Sequence, residues 1–209
     1  MTRVKICGIR TAAAALAAAE AGADAVGFVF YPPSPRFVRP EEAARLSRLL
    51  PPFVLRVGVF VNAPVEVVRE IADHVGLDLV QLHGDEPPEV CAQMPRRVIK
   101  ALRVDGPEAV RRLRDYPRCA VLLDTHVRGR YGGTGQRFDW SLVQHLDRPV
   151  ILSGGLTPDN VGEAIHQARP YAVDVSSGVE TDGHKDPRKI AAFVRAVRDA
   201  DRALQEVCP

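Results

Sequence analysis

The sequence predicts an α/β protein built as one closed barrel of eight parallel strands, each followed by a helix. Short apolar and β-branched runs, typical of buried strands, alternate along the chain with longer segments of helical period. No Gly/Ser-rich linker interrupts the series, so residues 1–209 are assigned to a single domain. Eight strand–helix units are what a (β/α)8 TIM barrel requires, although this chain is shorter than the roughly 250 residues usual for that fold.

The predicted strands and helices follow one another in strict order. The strands are the segments VKIC, AVGFVF, LRVGVFV, LVQLH, RVIKAL, AVLLD, PVILS and YAVDVS. The helices begin near Thr11, Pro40, Pro64, Pro87, Pro107, Asp139, Pro158 and Pro187. Most of these starts carry a proline, which the first turn of a helix tolerates because the N–H groups there have no intrahelical partner.

The first helix lies in a segment that also resembles a signal peptide. Basic residues precede the alanine-rich run TAAAALAAAEAGADA, as they do in secretory leaders. The helix interpretation is stronger, because alanine is the best helix former, Thr11 suits the N-cap, Glu20 interrupts the apolar run and Gly22 suits the C-terminal cap. We therefore expect a cytoplasmic protein.

An open, doubly wound sheet is the structural alternative. That fold normally carries a glycine-rich turn of the form G-x-G-x-x-G after its first strand. The segment CGIRT matches this pattern poorly. The closed barrel is the better prediction.

Charge and cysteine content exclude several kinds of partner. Twenty-eight basic residues oppose 26 acidic ones, and no block of like charge could neutralise a row of phosphates, so nucleic acid is not an expected partner. No apolar stretch is long enough to span a membrane. The four cysteines form no C-x-x-C pair and have no neighbouring histidine at metal-ligand spacing, so we expect reduced thiols and no metal.

Polar residues collect where the predicted strands end. Cys7, His83, Asp124 and Asp174 lie at or near the ends of strands one, four, six and eight. In a barrel of this kind the active site is at that rim. Each residue alone has a simpler explanation: a buried cysteine that packs, a structural histidine, or an aspartate that caps a loop. Their shared position favours a site.

Glycine-containing turns follow the last two strands, where such barrels often bind phosphate. Gly154 and Gly155 stand in SGGLTPDN, and Ser177 and Gly178 in SSGVE. Glycine lets backbone N–H groups approach an anion, although turn formation alone would also explain it. A glycine-dense segment, Arg130 to Trp140, follows Asp124 and is expected to close over a ligand as a lid.

Arg36 lies in the proline-stiffened loop PPSPRFV after strand two. Its planar guanidinium is suited to bidentate binding of a carboxylate. Taken alone, Arg36 is more simply an ordinary surface arginine.

Together these segments resemble the phosphoribosylanthranilate isomerases of tryptophan biosynthesis over nearly the whole chain. The resemblance rests on VKICGI, GFVFYPPSPRFV, VGVFVN, QLHGDE, LLDT, YGGTGQRFDW, SGGLTPDNV, and DVSSGVE followed by GHKD. It implies an Amadori rearrangement of N-(5'-phosphoribosyl)anthranilate to 1-(2-carboxyphenylamino)-1-deoxyribulose 5-phosphate. That reaction opens a furanose ring and moves a proton from C2', and it needs no cofactor.

The resemblance also implies a role for each site residue. Cys7 is the general base and Asp124 the general acid. Arg36 binds the anthranilate carboxylate, and His83 and Asp174 line the sugar site. The phosphate is bound by Gly154, Gly155, Ser177 and Gly178.

The proposed acid and base need help at neutral pH, because a free thiol has a pKa near ~8.5 and a free aspartate one near ~3.9. Burial would raise the pKa of Asp124, and a positive group would favour the thiolate of Cys7. Lys5, two residues before Cys7 on the same face of the strand, either supplies that charge or forms an ion pair with Asp174.

Two other functions compete with this one. Another phosphosugar barrel, such as an epimerase or a thiazole-phosphate-coupling synthase, would share the glycine turns, but a metal-dependent epimerase would need more His and Asp ligands than His83 and Asp124. A non-catalytic sensor of a phosphorylated ligand would need neither Cys7 nor Asp124. The expected partner is a small phosphosugar, and the chain is expected to be a monomer or a homodimer.

Overall fold

Eight parallel strands close into a barrel, as the sequence predicts. The computed structural model describes residues 1–104, 108, 111–125, 140–143, 146 and 148–206. Each strand pairs with its neighbour in sequence, and the eighth pairs with the first, so an open sheet is excluded. The strands are β1 (Arg3–Cys7), β2 (Ala25–Val29), β3 (Leu55–Phe60), β4 (Leu79–Leu82), β5 (Arg97–Val104), β6 (Ala120–Thr125), β7 (Val150–Leu152) and β8 (Ala172–Val175).

Helices cover the outside of the barrel. They are α1 (Ala12–Glu20), α2 (Pro40–Leu49), α3 (Val65–Val75), α4 (Pro88–Cys91), α5 (Val161–Ala168) and α6 (Pro187–Glu206), with 3-10 turns at Arg112–Asp115, Trp140–Val143 and Ser177–Val179. A two-stranded hairpin, β9 (Glu180–Thr181) and β10 (His184–Lys185), follows β8 and was not expected. Within the described residues no helix is both long and apolar enough to cross a membrane.

Some helices differ in length or start from the sequence prediction. The helix expected near Pro87 is only four residues long. The helix expected at Pro158 begins at Val161, because the side chain of Asn160 accepts from Thr157 N and donates to Gly155 O, both at 2.8 Å, and so holds the preceding residues in a turn. The predicted lid lies, except for Trp140, outside the described residues.

The first helix forms where the alanine-rich segment predicts it. Thr11 has extended backbone, and its hydroxyl oxygen accepts a hydrogen bond from Ala14 N at 3.2 Å. Gly22 follows the helix end with φ of +87°, a conformation that glycine adopts without strain. The resemblance of this segment to a signal peptide therefore reflects a capped helix that joins β1 to β2.

Alternate residues of the strands fill the barrel interior in layers. One cluster inside the barrel is wholly apolar: Ala25, Val57, Ile99, Ala101, Leu122, Ile151 and Ala172. Nearer the carboxyl ends of the strands, Cys7, Val29 and Val59 form a second, smaller cluster. The intervening strand residues, such as Ile6, Val26 and Phe28, pack outward into the large core beneath the helices. This alternation aims the polar residues at the strand ends into the barrel mouth.

Candidate active site

A cleft at the carboxyl ends of the strands brings together five of the residues singled out in the sequence. Cys7, Arg36, His83, Asp124 and Asp174 all line it. The remaining lining residues are Val29, Tyr31, Ser34, Val59, Val61, Gln81, Ser153 and Ser176. The four residues of the glycine turns lie on the adjacent loops after β7 and β8.

The Cys7 thiol is held at the end of β1 against a glycine of the next strand. Cys7 pairs in register with Gly27, and a Cβ at Gly27 would come within 2.9 Å of Cys7 Sγ and 3.2 Å of Lys5 Nζ. Burial raises the pKa of the Cys7 thiol above its ordinary value of 9.0, and the positive charges of Lys5 and Lys185 only partly oppose this. The thiol form therefore predominates at neutral pH in this structure.

Lys5 forms an ion pair with Asp174 inside the barrel. The two residues are register partners on β1 and β8, and Lys5 Nζ lies 2.8 Å from Asp174 Oδ1. Both side chains are 5% exposed. Of the two roles left open by the sequence, the structure shows the ion pair, and the same ammonium still lowers the pKa of the neighbouring Cys7 thiol.

His83 connects Gln81 with Asp124 across the cleft. His83 Nε2 lies 3.1 Å from Asp124 Oδ2, and His83 Nδ1 lies 3.0 Å from Gln81 Nε2. With the Gln81 amide in this orientation, its N–H donates to Nδ1 and His83 Nε2–H donates to Asp124 Oδ2. Gln81 Oε1 is buried and has no hydrogen-bond partner within the part of the chain that the structure describes.

Arg36 enters the cleft with half of its guanidinium already engaged. Its Nε and Nη2 donate to the two carboxylate oxygens of Glu180, at 2.8 and 2.7 Å. The side-on edge of the guanidinium, formed by Nε and Nη2, is thus occupied by Glu180 of β9. Among the described residues Nη1 has no hydrogen-bond partner, and Arg36 is one of the residues that line the cleft.

The two glycine turns lie against each other at the rim. Gly154 and Gly155 have φ of +88° and +65°, which a side chain would strain. A Cβ at Gly178 would overlap the carbonyl oxygen of Leu156 in the neighbouring turn. The backbones of the two turns are therefore in direct contact.

Several residues at the site had no role in the sequence prediction, among them Gly27, Glu180 and Lys185. Gly27 makes room for Cys7 and Lys5, and a glycine inside a strand is the signal that would have marked it. Glu180 contacts Arg36 and Lys185 contacts Glu180, and the segments SSGVE and GHKD that contain them suggested no role for either residue. Their contacts depend on the unexpected hairpin.

Metal ligands do not converge within the described residues. There, no three His, Cys, Asp or Glu side chains are close enough to hold an ion together. His83 and Asp124 contact each other directly instead.

Comparison with known proteins identifies the family. The model for N-(5'-phosphoribosyl)anthranilate (PRA) isomerase matches residues 4–196. Proteins named N-(5'-phosphoribosyl)anthranilate isomerase are 54% identical over 197 residues in Geobacter sp. (strain M21) and 56% identical over 202 residues in Pseudomonas putida (strain GB-1). These alignments cover 93% and 95% of this chain, and 97% and 98% of the relatives.

Solved structures give the same result. The phosphoribosyl anthranilate isomerase of Thermotoga maritima superposes with a TM-score of 0.90 at 48% identity, over 95% of this chain and 100% of that one. A second structure of such an isomerase, in complex with reduced 1-(o-carboxyphenylamino)-1-deoxyribulose 5-phosphate, gives 0.86 at 47% identity with the same coverage. A thiamine phosphate pyrophosphorylase of Pyrococcus furiosus, at 17% identity and 0.69, shares the fold alone. The chain belongs to the phosphoribosylanthranilate isomerase family.

Proposed function

We propose that this protein catalyses the Amadori rearrangement of N-(5'-phosphoribosyl)anthranilate, with Asp124 as general acid and Cys7 as general base. The observation that carries the assignment is that both side chains line one cleft, from strands β6 and β1. Those strands are not neighbours in the barrel, so the side chains of Asp124 and Cys7 reach a bound sugar from different sides. An acid and a base separated in this way suit a reaction that moves protons within one molecule.

Proton transfer at two positions of the sugar completes the reaction. Asp124, in its carboxylic acid form, donates to the furanose ring oxygen as the bond from that oxygen to C1' breaks, and the anthranilate nitrogen supplies the electrons. Cys7, as thiolate, then removes the proton from C2'. The resulting enol gains a proton at C1' and loses the proton of its C2' hydroxyl group, which gives the ketone of the product. Neither step transfers an acyl or phosphoryl group, so a covalent bond to sulfur is not required.

The two ends of the substrate match the two ends of the site. We assign the phosphate to the contacting turns at Gly154, Gly155, Ser177 and Gly178, where backbone N–H groups and positive φ permit close approach. We assign the anthranilate carboxylate to Arg36 Nη1. The relative solved with the reduced product analogue binds a molecule that carries both groups.

Between these ends, His83 and Asp174 line the sugar site in this assignment. The buried oxygen Gln81 Oε1, which lacks a donor among the described residues, suits a hydroxyl group of the sugar. Lys5 holds Asp174 in place and keeps a positive charge beside Cys7.

We place the enzyme in the cytoplasm, where a charged phosphosugar is retained, and we propose that it works as a monomer or a homodimer. A Thermotoga maritima relative is described as a dimeric phosphoribosylanthranilate isomerase from which monomers were generated. Sedimentation equilibrium of the purified protein distinguishes the two states.

The test of the function is turnover of freshly made phosphoribosylanthranilate, followed by the fluorescence of the anthranilate group. Folded protein should consume it, and both Cys7→Ser and Asp124→Asn should abolish most of that activity. Tight binding of a phosphosugar without turnover would support the sensor. Turnover of a different phosphosugar alone would support another enzyme of this fold.

A further inference from the structure

We propose that Glu180 and Lys185 are positioning residues that orient the Arg36 guanidinium and leave one net positive charge beside the cleft. They thereby determine selectivity for a substrate that bears a carboxylate. The proposal rests on the function given above and names two residues to which that function assigns no role. They lie on β9 and β10, the small hairpin after β8.

Glu180 fixes the direction of the Arg36 guanidinium. Both of its carboxylate oxygens accept from Arg36, through Nε and Nη2, in a bidentate pair. The stem of Arg36 is confined as well, because a Cβ at Gly8 would come within 2.7 Å of Arg36 Cδ. Arg36 lines the cleft, whereas Glu180 lies behind it and does not. The end-on edge of the guanidinium, with both N–H groups of Nη1 and the second N–H of Nη2, is left to meet a ligand.

Lys185 neutralises Glu180 from the opposite side. Lys185 Nζ lies 2.6 Å from Glu180 Oε1, 2.9 Å from Ser176 O and 3.3 Å from Ser176 Oγ. Because the Ser176 hydroxyl donates to Cys7 O at 3.1 Å, its oxygen accepts from Lys185. Three acceptors around one nitrogen require the three N–H groups of an ammonium. The Lys185 side chain is 4% exposed, so solvent screens this charge little.

The charges of this trio leave one positive charge at the cleft. Arg36 and Lys185 are cations, and Glu180 is the one anion between them. Without Lys185, the Glu180 carboxylate would cancel the charge of Arg36 and would lie close to the incoming carboxylate of the ligand. Like charges placed together in a binding site weaken binding. The Lys185 ammonium therefore allows the Glu180 carboxylate to bind Arg36 without repelling the carboxylate of the ligand.

Arg10 joins the loop of Arg36 to the hairpin. Its guanidinium donates to Pro35 O at 2.8 Å and to Gly183 O at 2.9 Å. Pro35 precedes Arg36, and Gly183 lies in the turn between Glu180 and Lys185. Arg10 therefore links the hairpin to the Arg36 loop, so that a shift of the hairpin would reach Arg36 through Arg10 as well as through Glu180.

Charge rescue tests the proposal. Lys185→Met, Glu180→Gln and the double variant are compared for KM, kcat and binding of reduced 1-(o-carboxyphenylamino)-1-deoxyribulose 5-phosphate. We expect Lys185→Met to weaken binding about tenfold or more, because it leaves Glu180 unneutralised. The double variant again has one net positive charge in the trio and should recover most of that loss. Because Lys185 also lowers the pKa of the Cys7 thiol, kcat should fall as well, and the affinity for the analogue is the measurement that tests the proposal.

A matched ligand shows whether the effect acts on the carboxylate. The same reduced analogue made from aniline lacks that group, and its affinity should differ little between the wild type and Lys185→Met. Arg188→Met removes an exposed cation from the same segment and should leave both affinities unchanged. If Lys185→Met does not fold, Lys185→Gln deletes the charge while keeping a donor, and the same loss is expected.

Two results would overturn the proposal: a double variant that binds as weakly as Lys185→Met, or equal losses for the two analogues. Either result would mean that the hairpin has a structural role and does not determine selectivity for the carboxylate. Both measurements are independent of turnover. Failure of the wild type to convert phosphoribosylanthranilate would instead overturn the proposed function, so the two failures are distinguishable.

Discussion

Lys5 and Asp174 form a buried ion pair between the first and last strands of the barrel, with Lys5 Nζ 2.8 Å from Asp174 Oδ1. Β1 and β8 are the strands whose pairing closes the barrel. The pair therefore lies at the closing seam, directly beneath Cys7. A charge at this position is tolerated because its partner is held in register by the backbone of the neighbouring strand.

Removing one member of this ion pair should lower the free energy of unfolding. Lys5→Met leaves the Asp174 carboxylate buried without its cation, and we expect a loss of about 3–5 kcal/mol in the free energy of unfolding, measured with denaturant. Lys5→Met with Asp174→Leu should recover much of that stability, though not activity. Arg3→Met is the control on the same strand, because its ion pair with Asp24 is largely exposed and should contribute at most about 1 kcal/mol. Equal losses at both positions would contradict this account.

The barrel was predictable because strand and helix periods differ along the whole chain. Parallel strands buried on both faces appear as continuous apolar runs, and β2, with the sequence AVGFV, is buried at every residue. The rim residues were predictable from the same pattern, since the end of each strand fixes where its polar residue lies. Cys7, His83, Asp124 and Asp174 line one cleft for that reason.

Contacts between distant residues were not predictable in the same way. Arg36 and Glu180 are 144 positions apart, and they meet only because a two-stranded hairpin follows β8. Strands of two residues are too short to give a periodic signal. The start of α5 at Val161 likewise depends on two side-chain hydrogen bonds of Asn160, which propensity does not report.

The pH dependence of activity should report the Cys7 thiol. Burial raises its pKa above that of a free thiol, and the thiolate is the basic form, so kcat/KM should rise with pH through neutrality, by up to about tenfold per unit where the thiol predominates. Cys7→Ser should lower kcat by roughly a hundredfold and remove this rise. Cys119→Ser changes a buried cysteine outside the cleft and should preserve the profile. A flat profile in the wild type would exclude Cys7 as the base.

Lowering the pH should reduce the contribution of Glu180 to the free energy of unfolding. Hydrogen bonds and the charges of Arg36 and Lys185 outweigh burial and lower the pKa of Glu180 from 4.5 to about 2. A carboxyl group with a lowered pKa stabilises the fold fully above pH 4.5 and loses that contribution as the pH falls towards 2. The difference in free energy of unfolding between the wild type and Glu180→Gln should therefore shrink over this range. The exposed control Glu70→Gln should differ little from the wild type throughout, and a constant difference for Glu180→Gln would contradict the assignment.

Contact between the two glycine turns should make Gly178 intolerant of any side chain. A Cβ there would overlap Leu156 O, so Gly178→Ala must push apart the turns after β7 and β8. We expect KM for the phosphorylated substrate, and the inhibition constant of inorganic phosphate, to rise on the order of tenfold, with a smaller change in kcat. Gly162→Ala is the matched control, because its Cβ would meet only Ala200 Cβ at 4.0 Å, an ordinary contact, and alanine favours the helix. Unchanged phosphate inhibition in Gly178→Ala would remove these turns from the phosphate site.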